Sequence, residues 1–181
     1  MRVYRVFPHV SSAAPNEPGG VLYVPTQGAG RFDNPPAYRM RYASTSPAGA
    51  LAEAFGRFPE WTRAMLDGMP ALASSHHALA EIELDDSTRI CDLNDARRLV
   101  ELGLRPSDIV ARDYVRTQAA AFAIRATGDY DGLSWWSYYD PNWTSVGLWN
   151  DTKLGAITIE RISLTSPYLL EAARTIHRIV R

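Results

Sequence analysis

Between Gly30 and Glu53, the stretch GRFDNPPAYRMRYASTSPAGALAE carries an arginine (Arg31), a tyrosine (Tyr42) and a glutamate (Glu53) spaced eleven residues apart. A guanidinium makes paired hydrogen bonds to a carboxylate or phosphate, a phenol ring offers a flat face, and a carboxylate stabilises positive charge as it develops. Three such side chains in two dozen residues suggest a site. Two distant places hold similar groups. Arg5 sits in the alternating run at the N-terminus on the same side as Val3 and Phe7, so its stem either covers apolar surface or reaches into a cleft. In GLSWWS (132–137) strand alternation puts Leu133, Trp135 and Ser137 on one side and Ser134, Trp136 and Tyr138 on the other, which leaves a serine on each.

The elements that hold these residues are legible in turn. Val3 to Phe7 alternates as a strand, the segment SSAAPNEPGG is a surface loop rich in turn formers, and Val21 to Val24 reads as a short strand. Gly28 and Gly30 flank Ala29, but no Gly-Lys-Ser/Thr follows, so this is not a phosphate-binding P-loop, nor is it GxGxxG. Pro35-Pro36 forces an extended or turning path into a strand from Tyr38 to Ala43, with Tyr38, Met40 and Tyr42 on one face and Arg39 and Arg41 on the other. Ser46-Pro47 starts a helix that the pattern carries to Phe58. Its apolar stripe is Ala50, Leu51, Ala54, Phe55 and Phe58, and at 100° per residue Glu53 falls away from the middle of it. That position suits a solvated glutamate or one facing a cleft.

Downstream, Trp61, Met65, Leu66 and Met69 suggest a short helix, and SSHH a loop. His76 and His77 are adjacent, so they diverge on any regular element, with no thiolate or carboxylate at ligand spacing; a metal site is not expected. Strands follow at Ala80–Leu84 and Arg89–Leu93, then a helix capped by Asn94 and ended by Gly103, and a longer one from about Tyr114 to Thr127 with Gly128 as its stop. The segment Asp129 to Asp151 holds four of the five tryptophans, a density that fits a core, a stacking platform or a partner interface. The chain closes with a strand from Ala156 to Leu164 and a helix starting at Ser166-Pro167 that packs Leu169, Ala173, Ile176 and Val180 inward. Strands cluster toward both ends with helices between them, which argues α+β rather than regular βαβ alternation.

Composition narrows the function. With 181 residues, 46% hydrophobic and 22% charged, the chain suits one domain with a substantial core. Nineteen basic against 20 acidic side chains give a net charge of −1, so no overall positive field gathers nucleic acid or an anionic membrane, and any anion must be held locally. The single cysteine, Cys91, rules out an intramolecular disulfide, and no apolar run reaches roughly 18 residues. With no signal-peptide pattern at the N-terminus, a cytoplasmic protein is expected.

Taken in order, Tyr4-Arg5-Val6, the Gly-Arg-Phe turn with Arg31, Tyr42, Glu53, the run TQAAAFAIRATG (117–128) and DGLSWWS (131–137) resemble the RES domain family. The resemblance runs from Tyr4 to about Asp151 and rests on the ordered set rather than on any one motif. It implies an ADP-ribosyltransferase-like fold, a split mixed β-sheet with flanking helices, in a single domain spanning 1–181. It also implies the toxin of a RES–Xre toxin–antitoxin pair, which inhibits growth by destroying NAD. Arg5, Arg31, Tyr42, Glu53 and Ser137 correspond to the family's arginines, tyrosine, glutamate and serine. Trp136 stands where the family has a proline before that serine, so Ser134 is kept as its alternate.

On this resemblance, Glu53 stabilises the oxocarbenium-like ribose as nicotinamide departs. Arg5 and Arg31 hold the pyrophosphate. Tyr42, with Trp135 or Trp136, faces the nicotinamide ring, and Ser137 bonds the carboxamide or ribose. NAD is then substrate rather than cofactor, water or inorganic phosphate takes the ADP-ribose, and no metal is needed. An Xre-type antitoxin is the expected protein partner, with homodimerisation left open and no direct contact with nucleic acid. Two rivals stand beside this: an ADP-ribosyltransferase modifying a protein, and a non-enzymatic module whose aromatics stack a nucleotide or single-stranded nucleic acid.

Overall fold

The computed structural model describes residues 1–111, 114–149 and 151–181. The N-terminal alternation becomes strand β1 (Arg2–His9), with Val3 and Phe7 buried on one face and Tyr4 and Val6 packed on the other. Met40–Ser44 forms β2, Glu60–Trp61 β3, His76–Leu84 β4, Ile90–Asp92 β5, Gly132–Trp136 β6, Thr144–Trp149 β7, Leu154–Arg161 β8 and Ile179–Val180 β9. Seven of them make one sheet in the order β5-β6-β7-β2-β1-β4-β8, antiparallel throughout except for β5 beside β6, while β3 and β9 pair separately. This is the mixed sheet expected of the α+β class.

The sheet is split at its centre. β1 pairs with β4 from Arg2↔Glu83 to His9↔His76, and β2 with β7 from Met40↔Trp149 to Ser44↔Ser145. Between β1 and β2 only Tyr4↔Ser44 is in register, and a cavity lined by both strands opens beside that pair.

Helices cover one face on either side of the split. Helix α1 (Pro47–Phe55) and helix α5 (Pro167–Thr175) pack Leu51, Phe55 and Leu169 with Trp61 and Leu79 over the β1–β4 half. On the β6–β7 half, α2 (Ala96–Glu101), α3 (Pro106–Val110) and α4 (Val115–Thr127) bury Leu99, Ile109 and Ile124 against Leu133 and Trp149. The opposite face, carrying Val3, Phe7, Ala80, Ile82, Val146 and Leu148, is closed by Val21 and Leu22 from the segment that follows β1. Among the described residues no helix is long and apolar enough to cross a membrane.

Several elements differ from expectation, each for a local reason. Val21 to Val24 is not a strand, because the carbonyls of Val21 and Tyr23 accept from Arg5 instead of a ladder. Helix α1 stops at Phe55 rather than Phe58: Pro59 disfavours helical geometry at the residue before it, and the Gly56 carbonyl is taken by Arg178. His76 and His77 begin β4 rather than sitting in a loop, since they pair with His9 and Pro8. After Glu60–Trp61, Arg63–Leu66 is a 3₁₀ turn and not a helix, and Val180 leaves the last helix to pair with Trp61. Asp95, not Asn94, caps α2.

Candidate active site

Glu53 reaches the split because of how α1 is started and turned. The Ser46 hydroxyl accepts the Gly49 N–H at 3.3 Å, Pro47 occupies the first turn, and the apolar face is spent on α5 and the sheet. Glu53 is left exposed on the flank that overlooks the gap between β1 and β2. Ser137, 84 residues away and 2% exposed, donates its hydroxyl proton to Glu53 Oε1 at 2.5 Å. The Ser137 oxygen itself accepts the Tyr139 N–H at 3.1 Å, so the backbone holds the hydroxyl in place while its one proton goes to the carboxylate. Buried Ser145 on β7 adds a longer bond of 3.4 Å to the same oxygen. Two serines from the β6–β7 side thus hold a carboxylate carried by α1.

The Gly-Arg-Phe turn is organised by a residue that sequence reasoning did not single out. Asp33 is 5% exposed; its Oδ2 accepts the N–H groups of Gly28 and Gly30 at 2.9 and 2.7 Å, and its Oδ1 accepts the Tyr42 hydroxyl at 2.7 Å. The Tyr42 oxygen in turn accepts the Phe32 N–H at 3.2 Å. Glycine is required at position 30 because a Cβ there would stand 2.7 Å from both Asp33 oxygens and from the Tyr42 hydroxyl. Burial, then the hydrogen bond and negative charge of Asp33, push the Tyr42 pKa far above the usual phenol range, so Tyr42 is a neutral wall of the site. Helix α4 clamps the turn from outside: Thr117 donates to the Arg31 carbonyl at 2.6 Å and Gln118 to the Gly30 carbonyl at 2.8 Å. The Arg31 guanidinium lies 4.9 Å over the Tyr114 ring and donates to the Ala111 carbonyl at 2.6 Å.

Two adjoining cavities meet at Glu53. One, of about 290 Å³, lies in the split and is lined by Tyr4, Arg5, Tyr42, Ala43, Glu53 and Trp135 among others. The other, of about 190 Å³, is lined by Arg31, Tyr42, Glu53, Tyr114, Trp136 and Tyr138 with their neighbours. Tyr42, Glu53 and Trp135 belong to both. Each cavity therefore has its own arginine, and the carboxylate stands where they join. Trp135 is buried, with its ring edge-on to Tyr42 at 6.1 Å, while Tyr138 is 63% exposed at the rim. Arg5 donates to the Val21 and Tyr23 carbonyls at 2.7 Å each; burial, with a smaller contribution from Arg41, lowers its pKa to about 10, so it stays charged at neutral pH.

The cleft thus gathers Arg5, Arg31, Tyr42, Glu53, Trp135, Trp136 and Ser137. It leaves out Ser134, which faces the other side of the sheet and donates to Asp92 at 2.9 Å. Arg5 and Arg31 do not line one common cavity. Asp33 had a faint sequence signal, an acidic residue closing a glycine-rich turn, whereas Ser145 had none. Among the described residues no three His, Cys, Asp or Glu side chains are placed to hold a metal ion.

The family model of the RES domain matches residues 2–170. Among solved structures, the chain is similar to a chain of the crystal structure of the M. tuberculosis MbcT-MbcA toxin-antitoxin complex, with a TM-score of 0.61 and 14% identity over 96% of this chain and 89% of that one. At that identity the likeness speaks for the fold. No curated protein sequence matches.

Proposed function

This chain belongs to the RES domain family, and from that premise we propose that it is an enzyme that cleaves the nicotinamide–ribose bond of NAD and serves as the toxin of a toxin–antitoxin pair. The observation that carries this is the Glu53 carboxylate, held by Ser137 at 2.5 Å at the junction of two cavities that each present an arginine.

When the bond between the anomeric carbon and the pyridinium nitrogen breaks, its electron pair goes to nitrogen and nicotinamide leaves neutral. The charge left on the ribose is oxocarbenium-like, and a fixed carboxylate beside it stabilises that state. Ser137 is a positioning residue in this scheme: its proton is committed to Glu53, which keeps the carboxylate from swinging into solvent. Tyr42 and Trp135 wall the nicotinamide end. Arg31 and Arg5 supply the local positive charge for the pyrophosphate that a chain of net charge −1 lacks overall. The oxygen of water or phosphate then adds to the anomeric carbon and loses its proton to solvent, releasing ADP-ribose or its phosphate ester. The protein partner in this reading is an Xre-type antitoxin that covers the cleft.

Product analysis tests the reading. Purified protein incubated with NAD alone should release nicotinamide with ADP-ribose, or with the phosphate ester once inorganic phosphate is added. Label appearing only on an added protein would assign the chain to the protein-modifying class, and unchanged NAD would refute the proposal.

A further inference from the structure

Glu53 stands in the last turn of α1, a helix of nine residues with no left-handed residue to close it: Phe55 is followed by Gly56 at φ −58° and ψ −21°. The final carbonyls of a helix have no partner within it, and its end frays unless they find one. Here the partners come from elsewhere. The Trp61 indole donates to the Phe55 carbonyl at 3.1 Å, and Arg178 donates to the Gly56 carbonyl through Nε at 3.1 Å and Nη2 at 2.8 Å, while its Nη1 donates to the Ile176 carbonyl at 3.0 Å. A half-buried cation has the favourable sign at this negative end of the helix.

Arg178 is aimed there by the way α5 ends. The His177 N–H bonds to the Arg174 carbonyl at 3.3 Å and the Arg178 N–H to the Ala173 carbonyl at 2.7 Å, a paired closure that usually has glycine at the first of the two positions. His177 takes that position with φ 55°, one of two non-glycine residues at positive φ among the described residues. The turn sends the chain back toward the end of α1, and Ile179 and Val180 then pair with Glu60 and Trp61.

What Arg178 pins is pressed against the site. Gly56 is buried, and a Cβ on it would stand 2.4 Å from the Tyr139 ring. The Tyr139 N–H donates to the Ser137 oxygen at 3.1 Å, and the Ser137 hydroxyl donates to Glu53. Burial raises the Tyr139 pKa, the Glu53 charge raises it further and the Arg178 charge lowers it, so the ring lies within reach of both. Glu53 is thus held along α1 and through Tyr139 and Ser137, and both routes meet at Gly56. We propose that Arg178 is a positioning residue for Glu53: its guanidinium pins the end of α1 against Tyr139 and so fixes where the carboxylate stands. This rests on the reading of Glu53 as the group that drives cleavage, and Arg178 lies beyond the residues that the family model matches.

Kinetics of nicotinamide release by the full chain test this, together with the carbon NMR resonance of the Glu53 side-chain carboxyl, assigned by its loss in Glu53→Gln, which needs no turnover. Arg178→Met should lower kcat about 3- to 10-fold with KM nearly unchanged, less than Ser137→Ala, because the carboxylate is loosened rather than released. Arg178→Lys keeps the charge and can send one N–H to the carbonyl, so it should recover part of the loss. Arg181→Ala breaks the Arg181–Glu60 ion pair beside the same terminal strand without touching Gly56, and should keep the wild-type kcat. Arg178→Met/Glu53→Gln should be no slower than Glu53→Gln alone. The resonance should move in Arg178→Met in the direction that Ser137→Ala moves it, and stay in place in Arg181→Ala. Wild-type kcat or an unmoved resonance in folded Arg178→Met would overturn the proposal. So would an equal loss in Arg181→Ala or a further loss in the double variant, since either reduces Arg178 to a matter of stability. If the wild type leaves NAD intact, the cleavage reading fails, and the resonance still decides whether Arg178 positions Glu53.

Discussion

Replacing Ser137 by alanine should separate the positioning of Glu53 from its presence. The bond removed is short, 2.5 Å, buried on the serine side and made to a carboxylate. A hydrogen bond to a charged group contributes about 1.5–3 kcal/mol, which in a transition state corresponds to about 10- to 100-fold in rate. Ser145, at 3.4 Å, is too long to take over that function in full. The expected result is therefore a kcat for nicotinamide release lowered by about one to two orders of magnitude, with KM nearly unchanged because Ser137 lines neither cavity as a binding surface. The substitution also leaves the Tyr139 N–H without its acceptor, so Tm should fall, and rates must be compared well below it. Glu53→Gln/Ser137→Ala should be no slower than Glu53→Gln alone, since residues acting as a unit are not additive. Wild-type kcat in a folded Ser137→Ala protein, or a further loss in the double variant, would refute the positioning role.

Two other outcomes follow from the same contacts. Asp33→Ala removes the acceptor for two backbone N–H groups and the Tyr42 hydroxyl, and should cost on the order of 3 kcal/mol of unfolding free energy in urea, with Asp33→Asn milder because an amide oxygen can still accept. His77 packs edge-on against Phe55 with ring centres 5.3 Å apart, and burial holds its pKa below the ordinary histidine value. As pH falls through about 6.5 the unfolded chain takes up the proton before the folded one, so the stability present above that pH declines as the solution is acidified. His77→Phe should flatten that decline in unfolding measured across the range, and an unchanged slope would remove His77 as its source.

How much of this was legible in the sequence depended on range. Local chemistry was: Ser46-Pro47 starts α1, Gly128 ends α4 in the left-handed conformation with φ 72°, and the face of Glu53 followed from helical periodicity. The alternation Val3–Arg5–Phe7 put Arg5 on the side of β1 that Val21 covers, where its guanidinium donates to the Val21 and Tyr23 carbonyls. What was not legible came from partners distant in sequence. Val21 to Val24 has strand composition, yet Arg5 captures its carbonyls, and no local rule reports that. The choice between Ser134 and Ser137 as neighbour of Glu53 turned on which face of β6 looks toward α1, a fact of sheet order rather than of spacing. Ser145 meets Glu53 only because β7 pairs with β2. Alternation put Arg41 with Arg39 on the face opposite Tyr42, but only tertiary packing buries it.

In the proposed reaction the Glu53 carboxylate, held in the split of the sheet, drives the breaking of the nicotinamide–ribose bond. The most direct test is the single-turnover rate of nicotinamide release from NAD by the wild type and by Glu53→Gln at saturating substrate, with NAD affinity measured on the same samples. Glu53→Gln should lower the rate by about a hundredfold or more with binding retained, because glutamine keeps the shape and hydrogen bonding and loses the charge. Equal rates in a folded Glu53→Gln protein that binds NAD would contradict it.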